Sequence, residues 1–317
     1  MFKLNIVIIK VYKNTIFLLY YITILFSSVY FRHNSVICSF DTNSWTILSS
    51  IEQSIKSKIE AVGVPLKDWN INIYRGVLTG FNEAFIIDGM KRKELIEQDP
   101  KSDEIIRPIL RGRDIKRYGY EFADLWLINT HNGVKEKNIN PINVEDYPSI
   151  KKHLDKFYSA LDKRQDKGYT PYNLRNCAYI DDFYKQKIVW KIIGSNINFF
   201  IDTEAFFFNN AANILTINSN SLEILIGFLN SKLFEWYFKK NIFIEVEGGG
   251  IQMFSTIMEK IPIPMIDNTQ NGDKLEELVQ KISKEKNNFN NIDIEINNLV
   301  YLVFDLSKEE IKFIESL

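Results

Sequence analysis

The stretch RPILRGRDIKRYG, Arg107 to Gly119, places five cations and one carboxylate in thirteen residues. It lies in a chain of 317 residues whose formal net charge is −1. Near-neutral charge predicts no general attraction to polyanions, so any anionic partner must be met by local clusters of this kind. The five cations are Arg107, Arg111, Arg113, Lys116 and Arg117, interleaved with Gly112, Tyr118 and Gly119. None is His, so their charge is permanent near neutral pH. Arg offers a planar donor fork suited to phosphate oxygens and to the O6/N7 edge of guanine. Gly112 lets the backbone approach a ligand closely, and Asp114 is placed to orient a neighbouring Arg through a bidentate pair. The competing reading is a solvated turn whose cations are spent on internal salt bridges. Mutual repulsion within RGRDIKR weighs against that reading unless an anion is nearby.

Working outward, SWTILSSIEQSIKSKIE (44–60) sets Ile47, Ile51, Ile55 and Ile59 four residues apart, the spacing of one helical stripe. Gly63 and Pro65 stop it. WNINIYRGVLTGFNEAFIID (69–88) predicts two short strands around a glycine-containing turn, and KRKELIEQ (91–98) a short helix ended by Pro100. DLWLINTHNG (124–133) reads as a strand. YPSIKKHLDKFYSALDKRQDKG (147–168) reads as one amphipathic helix with Pro148 in its first turn. Ile150, Leu154, Phe157 and Leu161 line its apolar face, while Lys151, Lys152, Lys156, Lys163 and Arg164 form a second basic strip.

Further strands are expected within 184–194, 198–202, 205–210 and 213–217. SLEILIGFLNSKLFEWYFKKN (221–241) is apolar almost all round and predicts a buried helix. DKLEELVQKI (273–282) is amphipathic, and the last two helices separate near Asp305, with Ser307 and Glu310 spaced as a capping box. The fold class expected is α+β, mixed short-strand sheets with packed helices and a C-terminal helical tail. The 45% hydrophobic content, with 23 Phe, suffices for a sizeable core.

Two Cys, Cys38 and Cys177, and three scattered His exclude a zinc cluster and a disulfide framework and fit a reducing, cytoplasmic compartment. No phosphate-binding glycine loop, GxSxG elbow or Asn-Pro-Pro-Tyr tetrapeptide is present. EGGGIQ (247–252) lacks the dinucleotide pattern and reads as a flexible turn; Glu245 and Glu247 alternate faces in an extended segment, so they do not make a carboxylate pair. The expectation is a chain with no catalytic centre and no metal site. NTIFLLYYITILFSSVYF (14–31), preceded by Lys3, Lys10 and Lys13, is long enough to cross a bilayer. It reads either as a membrane anchor or as a non-native leader translated ahead of a truncated reading frame.

Five blocks in order carry a resemblance: GVLTGFNEAFIID (76–88), DEIIRPILRGRDIKRY (103–118), the basic helix (147–168), LIGFLNSKLFEWYF (225–238) and MEKIPIP (258–264). Together they resemble the TaqI-like C-terminal specificity domain, the target-recognition part of adenine-specific DNA methyltransferases and type IIG restriction-modification enzymes. The resemblance spans roughly residues 45 to 317. It implies a module that grips duplex DNA, reads a short target and positions the target adenine for an S-adenosylmethionine-dependent domain. The methyltransferase half that should precede residue 45 has no counterpart here, so methylation or cleavage is expected to need a separate methyltransferase subunit, and no cofactor is expected on this chain.

Under that resemblance Arg111, Arg113, Lys116, Arg117 and Tyr118, with Lys151, Lys152, Lys163 and Arg164, are the expected DNA-contacting residues. Thr79, Gly80, Asn82, Gly112 and Asp114 are the expected turn supports. The expected division is a leader (1–43), a connecting helix (44–68), a target-recognition domain (69–265) and a helical tail (266–317). Duplex DNA is the expected partner and a membrane is not; the alternative function is a membrane-anchored interaction protein.

Overall fold

The computed structural model describes residues 10–12, 15–17, 48–218, 221–241, 245–246, 250–285 and 289–317. The chain divides into two compact units, Met1–Gln53 and Ser54–Leu317. In the first, Lys10–Tyr12 pairs antiparallel with Thr15–Phe17. The remainder of the apolar run 14–31 lies outside the described residues. No helix among the described residues is long and apolar enough to cross a membrane.

Helix α1 (Ser50–Val62) buries Ile55 and Ile59 of the expected stripe; Ile51 is half-buried, and Ile47 lies outside the described residues. Strands β1 (Ile71–Arg75) and β2 (Ile86–Asp88) follow, as the sequence predicts, but they enter different sheets. A single helical turn, Asn82–Phe85, and a left-handed Gly80 (φ +68°) redirect the chain between them. Helix α2 (Gly89–Gln98) opens on an Asp88 cap, whose carboxylate accepts from Lys91 N, and stops before Pro100.

The first sheet has the order β6 (Phe199–Asp202), β5 (Lys187–Lys191), β8 (Ala212–Ile217), β1, antiparallel throughout. Its central strands are buried on both faces, which is why IVW and NILTI read as continuous apolar runs. The second has the order β7 (Phe207–Phe208), β3 (Ile106–Leu110), β4 (Leu125–Ile128), β2. Strand β7 pairs parallel with β3 and the other pairs are antiparallel. One hydrophobic core joins the two sheets: Val189, Phe200 and Ile214 from the first meet Ile109, Leu127 and Phe207 from the second.

The segment 147–168 is not one helix. It forms α3 (Pro148–Asp155) and α4 (Tyr158–Lys163), with a break at Lys156–Phe157 and extended backbone from Arg164. Ile150, Leu154 and Leu161 are fully buried in the common core, each worth about 1.5–3 kcal/mol relative to exposure. The expected helix 221–241 is likewise divided, into α5 (Leu222–Leu229) and α6 (Lys232–Asn241).

The tail comprises α7 (Gln270–Lys284), α8 (Phe289–Val303) and α9 (Lys308–Glu315). These helices pack on α5 and α6. Gly227 lets α5 approach α7 closely, because a Cβ there would lie 2.8 Å from the Leu275 side chain. The Ser307–Glu310 capping box forms as its spacing predicts. Of the glycine triplet, Gly248 and Gly249 lie outside the described residues. Gly250–Gln252 is a strand paired with Ile193–Gly194.

Candidate nucleic-acid interface

The cationic stretch begins on β3 and leaves it through a single 3-10 turn, Gly112–Asp114, into a small hairpin of Ile115–Lys116 with Gly119–Tyr120. Asp114 holds the turn. Its carboxylate accepts from Arg111 Nε (2.9 Å), Arg111 Nη2 (2.8 Å) and the Arg111 backbone N–H (2.8 Å). Burial alone would raise the Asp114 pKa, but these bonds outweigh it and hold the carboxyl below its ordinary range. The bidentate pair expected from the sequence is therefore present, and its consequence is that Arg111 is occupied.

Arg117 is occupied as well. Its guanidinium donates to the Asn230 carbonyl (2.6 Å from Nη2) and to the Asp293 carboxylate, and it lies over the Phe289 ring. Tyr118 takes a left-handed conformation (φ 59°), is 5% exposed, and donates its N–H to the Phe199 carbonyl (2.8 Å). Burial pushes its phenol pKa far up. Arg107 curls back over the carbonyls of Asp103, Glu104 and Ile106. Lys116 is paired with Glu121 at 3.2 Å. Of the five cations, Arg113 alone has neither a hydrogen bond nor an ion pair among the described residues, and it is exposed.

Gly112 does not mark an approach to a ligand. A Cβ there would lie 3.3 Å from Ala211 Cβ and 3.4 Å from Lys191 Cβ, so the missing side chain lets the turn seat against the end of the first sheet. Lys191 meets the turn through its Cβ, while its ammonium end lies against Gly194, where a Cβ would fall 2.3 Å from Nζ. Lys191 is half-buried with no ion pair among the described residues. Its approach to the turn is not legible in the sequence, where 78 positions separate Lys191 from Arg113.

The basic strip of 147–168 is also thinner than its spacing predicts. Lys151 is paired with Asp155 (3.1 Å) and lies 3.8 Å from Glu145. Arg164 is 8% exposed and donates to four carbonyls: Thr79, Asp166, Pro171 and Asn173. Its guanidinium sits 4.6 Å from the Phe85 ring centroid, and burial pushes its pKa down to about 10. This cage requires extended backbone at residue 164, which is why the helix ends at Lys163. Lys152, Lys156 and Lys163 remain exposed and without ion pairs among the described residues.

The supports behave as turn chemistry. Thr79 is buried, its hydroxyl donates to Asn82 Oδ1 (2.6 Å), and its carbonyl is one of the four that receive Arg164. At Gly80 a Cβ would lie 3.0 Å from Asp166 Cβ. Of the expected contacts, Arg111, Arg117 and Arg164 are held by internal acceptors, and Tyr118 is buried with its hydroxyl unpartnered among the described residues. No hydrogen bond or ion pair among the described residues joins 107–119 to 147–168. Within 107–119 and 147–168 the cations with no hydrogen bond or ion pair among the described residues are Arg113, Lys152, Lys156 and Lys163, with Lys116 weakly held. Among the described residues no group of three His, Cys, Asp or Glu is placed to hold a metal ion.

Residues 107–263 match the family model described as the TaqI-like C-terminal specificity domain. The fold is similar to that of the type IIL restriction-modification enzyme MmeI, solved in complex with DNA. The TM-score is 0.58 at 13% sequence identity, and the match covers 80% of this chain and 36% of that one. The type IIG restriction endonuclease BpuSI matches with a TM-score of 0.47 at 15% identity, over 83% of this chain and 34% of that one. The chain thus spans about a third of the length of either enzyme. No curated protein sequence matches it.

Proposed function

We propose, from the premise that residues 107–263 belong to the TaqI-like C-terminal specificity domain family, that this chain recognises duplex DNA for a restriction-modification system. The observation that carries the reading is where the match falls. It covers the cationic turn, the lysine-bearing helices and the sheet end that seats Gly112, so the unspent Arg113, Lys152, Lys156 and Lys163 lie inside it. Phosphate contacts from these cations supply affinity, and a few base-edge contacts supply sequence preference. These four cations set the expected scale: about four neutralised phosphates give a log–log salt slope of roughly −4.

The chemistry that such a module serves is adenine methylation, with cleavage in fused enzymes. This chain would position the target adenine for an S-adenosylmethionine-dependent domain on a separate polypeptide. The cytoplasm is the compartment that fits both the DNA partner and the sparse cysteines. Electrophoretic mobility shift with a duplex of mixed sequence, between about 50 and 200 mM salt, tests the reading. Affinity should fall by more than tenfold across that range. Affinity indifferent to salt would refute a phosphate-driven grip, and methyl transfer by the chain alone would refute the division of labour.

A further inference from the structure

Arg164 is buried without a carboxylate, an expensive choice unless the carbonyls it gathers matter. Those carbonyls shape the loop that follows. Gly168 N–H donates to the Asn173 carbonyl (3.0 Å), Tyr169 N–H to Asn132 Oδ1 (2.7 Å), and Thr170 Oγ1 to Asn173 Oδ1 (2.6 Å). Gly168 is pressed so close that a Cβ would lie 2.3 Å from Asn132 Oδ1. The backbone of Tyr169 is therefore fixed, yet its side chain is 78% exposed and makes no ring contact or hydrogen bond among the described residues. An aromatic held out on a preorganised loop loses little entropy on binding and brings a large contact area.

Tyr169 also walls an open cleft of about 380 Å³ formed by the 132–141 and 169–178 segments. That volume falls within the roughly 300–1,000 Å³ of small-ligand sites. The same cleft carries the amides of Asn138, Asn140 and Asn176, beside the charged Lys135 and Glu136. The Asn138 and Asn140 amides make no hydrogen bond among the described residues, and Asn176 uses only its oxygen, which accepts from Asn132 Nδ2. An asparagine amide presents a donor and an acceptor side by side, the pattern that pairs with adenine N7 and N6 in the major groove.

We propose that this cleft reads a base edge of the DNA target, with an asparagine amide bonding the edge and the Tyr169 ring lying against that base or its neighbour. The inference rests on the DNA-recognition reading and assigns it a specificity element distinct from the cationic turn. Selection of the full chain on a randomised duplex library tests it, with wild type, Tyr169→Ala, Tyr169→Phe and Asn140→Ala carried in parallel. Wild type should enrich a motif. Tyr169→Ala and Asn140→Ala should each lose preference at the same one or two positions by about tenfold, the usual scale for one mismatched pair, while Tyr169→Phe retains it.

An unchanged motif in both alanine variants would overturn the inference and leave the DNA reading intact. Loss spread evenly over all positions, with a shallower salt dependence, would make the cleft a backbone contact and also overturn it. Failure of wild type to retain any duplex removes the reading itself, and this inference with it. Unfolding midpoints equal to wild type identify folded variants; should Tyr169→Ala shift, Asn140→Ala on the exposed wall decides the matter.

Discussion

Arg117 and Asp293, 176 positions apart, are joined guanidinium to carboxylate, and the same guanidinium grips the Asn230 carbonyl. The tightest part of the cationic stretch is thereby tied to the break between α5 and α6 and to α8. A residue whose type and neighbours suit DNA serves as the bolt between the specificity fold and its helical tail. Asp293→Ala leaves a largely buried cation without its carboxylate, and a lost charged hydrogen bond of this kind costs about 1.5–3 kcal/mol. A urea titration should show the midpoint falling with the slope unchanged. A midpoint equal to wild type would return Arg117 to the list of free cations.

Arg113 should behave in the opposite way. It is exposed and unpaired among the described residues, so Arg113→Ala should leave the unfolding midpoint within experimental error of wild type. DNA affinity should fall. A loss of about 1–3 kcal/mol confined to one sequence class marks a guanine contact, whereas a uniform loss with the salt slope reduced by about one marks a phosphate. Mobility shift on two duplexes at several salt concentrations separates the outcomes.

What the sequence made legible was local. The Ile55–Ile59 spacing of α1, the helix stop before Pro100, the Ser307–Glu310 box and the Arg111–Asp114 pair each depend on near neighbours, and each appears as expected. What it hid was set by distant partners. The long helix expected at 221–241 breaks because Asn230 brackets Phe199, accepting from its N–H and donating to its carbonyl at 3.0 Å each. Asn297 then accepts the Lys232 N–H that opens α6 (2.8 Å). Arg164 reads as one more cation on a helix face until Thr79, 85 positions earlier, supplies a carbonyl for it. A basic residue's type reports only its charge, and whether that charge is spent depends on contacts that no spacing encodes.

Lys187 and Asp202 form an ion pair at 2.6 Å with both side chains fully buried, across neighbouring strands β5 and β6. Burial lowers the Lys187 pKa and raises that of Asp202, so each is stable as an ion only through the other. Lys187 also donates to the Phe183 and Lys185 carbonyls, and Asp202 accepts from the Glu204 and Phe206 N–H groups. Asp202→Ala should cost about 3–5 kcal/mol, because it strands the cation. Lys187→Met combined with Asp202→Ala should recover part of that loss. Chemical denaturation of the three proteins gives the comparison, and a double variant less stable than the single one would show that the backbone bonds dominate.

The last expectation concerns acid. His153 is 7% exposed on α3, with Nε2 2.9 Å from the Ala84 carbonyl and Nδ1 unpartnered. Burial lowers its pKa, Lys91 and Lys156 add to the effect, and the Ala84 carbonyl and Glu94 oppose it. His131 is lowered as well, by burial and then by Arg107. Both imidazoles are therefore neutral in the folded chain at a pH where the unfolded chain, with its ordinary value of about 6.5, already binds protons. A folded pKa below the unfolded one means that stability is full above about pH 6.5 and declines as the pH falls toward the folded values. Unfolding free energies measured from pH 7.5 down to pH 5.5 should fall accordingly, before the carboxylates titrate. His153→Asn together with His131→Asn should flatten the dependence over that window, whatever it does to the absolute stability; a slope equal to wild type in the double variant would locate the proton uptake elsewhere.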